Sequence, residues 1–275
     1  MKKVVDLPNI DNKSRKKVKK RSSTKSHLYA DSLFSFTDKL EHLFEYLEKG
    51  FIPIRYYAES IGFLKIRGFG RVAIPMKCFC DIKLHSIKQH VEWYGFYGIA
   101  FSKEWGIEKG MQPVHYINTR SFLSKDYSFA FKEAKKKKNQ EYDLPANDYL
   151  LEHLLFMKPN KGKMWNNNTN THKEKCFTDE CEWRFISDVT RRGYRMFYNM
   201  KYCDEGFIEE LNKSLKKDKD SGIVFDYDDI KYLIVKNKSD CNKTIDLITK
   251  KIHNQDVKNR LISKILVWEE CKEDF

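Results

Sequence analysis

Short apolar segments with strand character alternate irregularly with short amphipathic segments along most of this 275-residue chain. Successive parallel strands need a helical crossover between them, and that regular strand–helix spacing is missing here. The pattern therefore predicts the α+β class, as a single domain with a mixed or antiparallel sheet and flanking helices. Aromatic residues make up 14 % of the chain, which suits a strand-rich core.

The first helix has clear end signals. Apolar residues indicate a short strand within residues 29–37, and Asp38 stands where it could cap a helix running to Lys49. Gly50 is placed to end that helix. Further strands are predicted at residues 72–80, 97–102, 113–118, 181–189 and 230–235, and helices at 83–94, 145–156, 206–215, 242–252 and 257–268. Residues 51–59 are expected to form a connector, and residues 157–172, with three asparagines in a row, a long loop.

Residues 1–26 are predicted to be a disordered basic arm, with residues 27–275 as the folded domain. The arm carries eight cations and no carboxylate between positions 13 and 25: Lys13, Arg15, Lys16, Lys17, Lys19, Lys20, Arg21 and Lys25. Such a run cannot bury enough surface to fold, and it gains affinity for phosphates by releasing counterions. A nucleic-acid partner is expected for Lys16, Lys17, Lys19, Lys20 and Arg21. A solubilising tail without a partner is the open alternative.

The chain is expected to be cytoplasmic and to have no contact with a membrane. No run approaches the roughly 18 to 20 apolar residues of a membrane helix, and the charged N-terminus lacks a secretory apolar region. Its seven cysteines are expected to be reduced.

Residues 78–105 form the densest group of polar and aromatic side chains. Cys78 and Cys80 could supply thiolates to a metal, but their single-residue spacer is unusual for structural zinc, so no metal is expected. Gly95 and Gly98 would let the backbone approach a ligand or a neighbouring strand. A tight turn packed by aromatic residues is the alternative.

A second group is Glu180-x-Glu182-Trp183-Arg184. Side chains alternate along a strand, so Glu180, Glu182 and Arg184 are expected to share one face. Paired carboxylates raise each other's pKa and suit acid or base chemistry. A solvent-facing strand with a weak Glu–Arg pair is the alternative.

A set of five motifs runs in order over roughly residues 33–190. They are Phe36-Thr37, Gly50-Phe51-x-Pro53-x-Arg55-Tyr56, Val72-Ala73-Ile74-Pro75-Met76-x-Cys78-Phe79-Cys80-Asp81, Tyr94-Gly95-x-Tyr97-Gly98-Ile99 and Glu180-x-Glu182-Trp183-Arg184. This set resembles the AbiGi-type abortive phage resistance proteins. The resemblance implies bacterial defence by abortive infection. A partner protein that neutralises the chain is compatible with it.

The order of the motifs also resembles, more distantly, the ADP-ribosyltransferase fold of DNA-modifying toxins. That resemblance implies an NAD-dependent, toxin-like enzyme acting on a nucleic acid or a translation component. It places Ser35 or Thr37 and Arg55 against NAD, stacks Tyr94 and Tyr97 on nicotinamide, and makes Glu182, or else Glu180, the catalytic carboxylate. Ser35 departs from the family pattern, which has His or Arg there. A non-catalytic protein that binds nucleic acid is the alternative.

Overall fold

The computed structural model describes residues 29–137, 145–166 and 170–273. The predicted basic arm, including Lys16, Lys17, Lys19, Lys20 and Arg21, lies outside the described residues.

Helices and strands alternate without a regular repeat, as the sequence pattern predicts. The strands are β1 (Ser32–Thr37), β2 (Phe51–Ile52), β3 (Arg55–Ser60), β4 (Arg71–Cys80), β5 (Tyr97–Ser102), β6 (Gln112–Pro113), β7 (His115–Ile117), β8 (Met157–Pro159), β9 (Lys161–Asn166), β10 (Thr171–Cys176), β11 (Glu182–Ile186), β12 (Tyr198–Asn199), β13 (Ile223–Val224), β14 (Ile230–Val235) and β15 (Ile265–Val267). The helices are α1 (Leu40–Lys49), α2 (Lys88–Tyr94), α3 (Lys103–Glu108), α4 (Phe122–Lys137), α5 (Pro145–Leu155), α6 (Glu205–Leu215), α7 (Lys238–Lys251), α8 (Gln255–Ile262) and α9 (Trp268–Cys271).

Within the described ranges, nine strands form one sheet. Its main path runs β15-β14-β5-β1-β4-β11-β6, and β3 and β12 both pair with the ten-residue strand β4. The β14–β15 pair is parallel, and the chain crosses between these strands through α7 and α8. The pairs of β4 with β1, β3 and β11 are antiparallel. The predicted α+β class with a mixed sheet and flanking helices is confirmed.

Both faces of the central strands are buried. Leu33 and Phe79 pack in a cluster with α1 and α7, whereas their neighbours Phe34 and Cys80 pack in a second cluster with Ile87 and Val91. This division follows from the alternation of side chains along a strand. The central strands consequently have near-continuous apolar sequences.

The end of α1 is as predicted, but its start is not. Gly50 adopts the left-handed conformation (φ 67°), and its N–H donates to the Tyr46 carbonyl. The N-terminal cap position is Lys39 rather than Asp38, and no side chain caps the helix there.

Three other predicted segments are wrong. Residues 51–59, predicted as a connector, hold β2 and most of β3, whose six residues pair with β4. Residues 157–172, predicted as a loop, hold β8, β9 and the start of the hairpin strand β10. Residues 257–268, predicted as one helix, hold most of α8 and then β15, because Ile265, Leu266 and Val267 extend the sheet beside β14.

Gly95 allows a close approach of two backbone segments, as its sequence context predicts. Its φ is 105°, and a Cβ there would lie 2.3 Å from the Thr37 carbonyl oxygen. The neighbour that the glycine accommodates is therefore the end of β1.

Candidate functional site

Glu180 and Glu182 approach one another from different kinds of local structure. Glu180 ends a short 3-10 turn (Phe177–Glu180), Cys181 adopts a left-handed conformation (φ 42°), and Glu182 opens β11. The expectation that Glu180 and Glu182 share one strand is therefore wrong. They nonetheless meet, because the kink at Cys181 brings both carboxylates to the same cation.

That cation is Lys158 of β8. Its Nζ lies 2.5 Å from Glu180 Oε2 and 2.6 Å from Glu182 Oε2. All three residues are buried. A buried ammonium needs its charge compensated and its donors used, and two carboxylates meet both needs.

Arg184 completes the pairing of Glu182 on the same strand. Its Nε donates to Glu182 Oε1 at 2.7 Å and one Nη donates to the Leu155 carbonyl at 2.6 Å. The other Nη lies 3.4 Å from Glu59 of β3. Arg184 is 0 % exposed, so the alternative of a solvent-facing strand with a weak Glu–Arg pair is also wrong.

Glu180 also contacts a second cation and the hydroxyl group of a tyrosine. Lys175 Nζ lies 2.8 Å from Glu180 Oε1, and the Tyr94 hydroxyl donates to the same oxygen. Lys175 also lies 4.4 Å from the centre of the Trp93 ring. Both oxygens of both carboxylates thus have cationic partners. We call Glu59, Lys158, Lys175, Glu180, Glu182 and Arg184 the ionic cluster.

The cations reverse the pKa shift that paired carboxylates were expected to show. Burial alone would raise the pKa of Glu182, but Arg184 and Lys158 hold it well below its usual range. Burial likewise opposes ionisation of Glu180, while Lys158 and Lys175 bring its pKa below normal despite the repulsion from Glu182. Both side chains are carboxylates at neutral pH, and neither is poised as a general acid.

A cavity of 490 Å³ lies beside one end of the ionic cluster. Its lining includes Glu180, Lys175, His90, Trp93, Glu174 and Asp81. Glu182 does not line it. A cavity of this volume falls in the range that holds small ligands, and its wall combines charged groups with flat aromatic rings.

His90 is held neutral beside this cavity. Burial lowers its pKa to about 4, although the negative charge of Glu180 acts in the opposite direction. The ring lies 4.5 Å from that of Tyr94 and 5.6 Å from that of Phe36, centre to centre. A neutral imidazole can accept or donate a hydrogen bond, depending on its tautomer.

The structure brings together only part of the predicted NAD-binding set. Tyr94 contacts Glu180, as described above. Ser35 is buried on β1, and its hydroxyl finds no hydrogen-bond partner among the described residues. The Thr37 hydroxyl lies 2.7 Å from His42 Nδ1. Neither Ser35 nor Thr37 lines the cavity.

Arg55 and Tyr97 lie elsewhere. Arg55 is exposed on β3, where it pairs with Glu209 of α6 at 3.4 Å. The Tyr97 hydroxyl donates to Asp240 of α7 at 2.9 Å. These two contacts account for both side chains without a dinucleotide, so the set carried over from the transferase resemblance does not gather around one cavity.

Within the described ranges, no three or more His, Cys, Asp or Glu side chains are grouped so that they could hold a metal ion. The seven cysteines are free thiols. Burial raises the pKa of Cys78 and of Cys80 well above normal, which disfavours the thiolate that a metal would need. No described helix has the length and apolar character required to span a bilayer.

Sequence reasoning missed Lys158 and Lys175. One sequence feature could have identified Lys158, since this residue directly follows the apolar run Leu154-Leu155-Phe156-Met157. A lone lysine in such a run indicates a buried cation that needs a carboxylate partner. Lys175 lies on an otherwise exposed polar strand, and no comparable signal marks it.

Residues 51–236 match a family described as "Putative abortive phage resistance protein AbiGi, antitoxin". The chain belongs to the AbiGi family. It is also 33 % identical over 248 residues to the abortive phage resistance protein AbiGi of Lactococcus lactis subsp. cremoris, covering 82 % of this chain and 99 % of that protein. The expectation of an abortive phage resistance protein is thereby confirmed. No solved structure matches the chain.

The AbiGi match includes the whole ionic cluster and most of the cavity wall. Glu59 and Arg184 lie near opposite ends of the stretch that carries the cluster, and both fall within residues 51–236. The cluster is therefore part of the AbiGi region of the chain.

Proposed function

We propose that this chain is the non-catalytic antitoxin of an abortive-infection pair, which restrains a toxin by binding to it. The observation that carries the proposal is the state of Glu182. This carboxylate is buried, is engaged by Arg184 and Lys158 at both oxygens, and does not line the cavity. Its burial and its contacts with two cations support a structural role for this carboxylate.

The family description also supports an antitoxin function, since it contains the word antitoxin. A defence pair needs a component that keeps the toxin inactive until infection, and a binding protein can do that without chemistry. The partner expected from the sequence was a protein that neutralises this chain. In the present proposal the roles are reversed, and this chain neutralises its partner, the toxin. The predicted basic arm adds a nucleic acid as a second partner in this proposal.

To test this proposal, the toxin of the pair is expressed in bacterial cells, either alone or together with the full chain. We expect growth to stop with the toxin alone and to be restored by the wild-type chain. Glu180→Gln should restore growth as well as wild type does under conditions in which circular dichroism shows that the variant is folded, with Glu174→Gln as the control on the same cavity wall. Toxicity of the chain when expressed alone would contradict the antitoxin function.

The second candidate is the NAD-dependent ADP-ribosyltransferase, and the cavity beside Glu180 is what favours it. Glu180, Trp93 and His90 offer a carboxylate and two flat rings at one wall. NAD binding in this candidate uses that wall, with Tyr94 next to it, and does not use Arg55 or Tyr97. Glu180 rather than Glu182 is then the carboxylate that stabilises the developing positive charge as nicotinamide leaves.

Incubation of the purified chain and a cell lysate with labelled NAD separates the two candidates. A transferase labels a macromolecule, and Glu180→Gln abolishes the label while Glu174→Gln retains it. The antitoxin proposal predicts no label with any of the three proteins. Circular dichroism of each variant tests whether the fold is intact, which matters most for Glu180→Gln because Glu180 belongs to the buried ionic cluster.

A further inference from the structure

Two histidines from different segments bring their rings together at the surface of the protein. Nδ1 of His115, on β7, lies 2.5 Å from Nε2 of His153, on α5, and the ring planes stand at 85° to one another with their centres 4.6 Å apart. His115 is exposed and His153 is partly buried. Neither residue lines the cavity or belongs to the ionic cluster, and the pair plays no part in either candidate function.

The surrounding structure holds the two histidines in this position. The N–H of His115 donates to the Phe156 carbonyl at 2.8 Å, and the N–H of Phe156 donates to the His153 carbonyl at 3.1 Å. The His153 ring also packs against the rings of Tyr127 and Tyr149, at 5.7 and 5.5 Å between centres. The backbone of both residues and the ring of His153 are therefore restrained before any ligand arrives.

The two facing nitrogens need a proton or a cation between them. A neutral imidazole carries one proton on its two nitrogens, so the other nitrogen presents a lone pair. Burial and the neighbouring His115 lower the pKa of His153, which keeps its ring neutral at pH 7. Two lone pairs at this separation repel each other. A hydrogen bond between the rings removes the repulsion, and so does a metal ion bound by both.

Imidazole nitrogens select the class of metal. They bind Zn²⁺, Ni²⁺ and Cu²⁺ in preference to Mg²⁺ and Ca²⁺, which take oxygen ligands. Zinc–nitrogen bonds are about 2.0 to 2.1 Å long, so tetrahedral geometry would require the facing nitrogens to separate by roughly 1 Å more. Because His115 is exposed, a small rotation of its side chain can provide this separation.

The two elements that carry the histidines both support the ionic cluster. The Tyr116 hydroxyl of β7 accepts a hydrogen bond from the N–H of Glu182 at 2.8 Å. The Leu155 carbonyl, at the end of α5, accepts one from Arg184 at 2.6 Å. A link between β7 and α5 would consequently hold together two elements that contact the cluster directly.

We propose that His115 and His153 form a binding site for a divalent transition-metal ion, with water in the remaining coordination positions. The pair supplies two protein ligands, which makes the site an open one. The bound ion clamps β7 to the end of α5 and stabilises the fold around the ionic cluster. This inference goes beyond the antitoxin function and does not depend on it.

The experiment titrates the untagged full chain with Zn²⁺ in a calorimeter. His115→Asn and His153→Asn should each lower the affinity by about tenfold or more, a loss that already follows when a group that only orients a metal ligand is removed. His172→Asn is the matched control, because His172 is an exposed histidine whose ring also contacts an aromatic ring, 5.2 Å from that of Trp165. Cys176→Ser is a second control, since this exposed thiol could also bind zinc. Both controls should keep the wild-type affinity.

Thermal melts provide a second readout. Zn²⁺ should raise the Tm of the wild type and of both controls, but not that of the two histidine-pair variants, whereas Mg²⁺ should raise none of them. If the wild type binds no Zn²⁺, or if His115→Asn and His153→Asn bind it as tightly as the wild type, the pair is only a hydrogen bond and the metal site is wrong. These measurements use no toxin, so such a result leaves the antitoxin function standing.

Discussion

Arg184 and Glu182 stand two residues apart on β11, and their ion pair is withdrawn from solvent at the centre of the ionic cluster. The arginine Nε lies 2.7 Å from the glutamate Oε1. One Nη of Arg184 also donates to a backbone carbonyl, and Lys158 donates to the other oxygen of the glutamate. The second Nη of Arg184 has only its 3.4 Å ion-pair contact with Glu59. The pair therefore belongs to the interior of the protein. Removing one partner there lowers the free energy of unfolding much more than it does on the surface.

Replacing Arg184 with Met should lower the free energy of unfolding by about 3 to 5 kcal/mol, because it leaves the buried Glu182 with one cation fewer. Urea denaturation at pH 7 measures the change. Arg55→Met is the matched control: it breaks the exposed pair with Glu209, and we expect a loss below about 1 kcal/mol. Equal losses in the two variants would show that the ionic cluster is not a special source of stability.

The stability of the protein should fall between pH 6.5 and about pH 4 because of His90. Its folded-state pKa of about 4 lies below the unfolded value of 6.5, so the unfolded chain binds more protons across this interval. Stability is complete above pH 6.5 and declines as the pH falls, by about 2 kcal/mol once partial exposure of the ring is allowed for. His90→Gln should flatten this part of the curve in thermal melts at half-unit pH steps. A parallel curve would exclude His90 as the cause.

Gly95→Ala should destabilise the protein by about 2 to 4 kcal/mol. The new methyl would meet the Thr37 carbonyl oxygen at 2.3 Å, and the positive φ adds strain. Gly110→Ala provides the control, since Gly110 also has a positive φ (79°) but has open space around its Cβ position. A loss of about 1 kcal/mol is expected there. Differential scanning calorimetry compares the two, and similar losses would mean that the close approach at Gly95 relaxes freely.

Deleting residues 1–26 should weaken binding to a DNA or RNA oligonucleotide and reduce the slope of log K against log salt. Each cation that neutralises a phosphate contributes roughly one unit or slightly less to that slope. Fluorescence anisotropy at four salt concentrations measures it, with a chain of the same length carrying Gln at Lys16, Lys17, Lys19, Lys20 and Arg21 as control. An unchanged slope would remove the arm from nucleic-acid binding.

Much of the fold followed from local patterns. Near-continuous apolar segments located the central strands, and Gly50 marked the end of α1, because these features depend on near neighbours in the sequence. The hairpin of β9 and β10 was missed because its strands are polar and largely exposed. Strand β15 was missed because only its pairing with the distant β14 distinguishes it from the end of a helix.

The candidate site was predictable only in part, for a similar reason. Glu180, Glu182 and Arg184 were visible as a motif, but their partners Lys158, Lys175 and Glu59 come from other segments of the chain. The pKa of Glu182 is lowered by Arg184 of the same motif and by Lys158, and that of Glu180 by Lys158 and Lys175, against the effect of burial. The carboxylate pair considered without these cations therefore predicted the opposite shift.

The ionic cluster joins parts of the chain that lie more than 100 residues apart, from Glu59 on β3 to Arg184 on β11. Its members can neutralise one another only after these strands have come together. A partly assembled chain would therefore have to bury charges that have no partner, which is unfavourable. Assembly should therefore be nearly all-or-none in this region, and a fragment cut between these strands would be a ready target for cellular proteases.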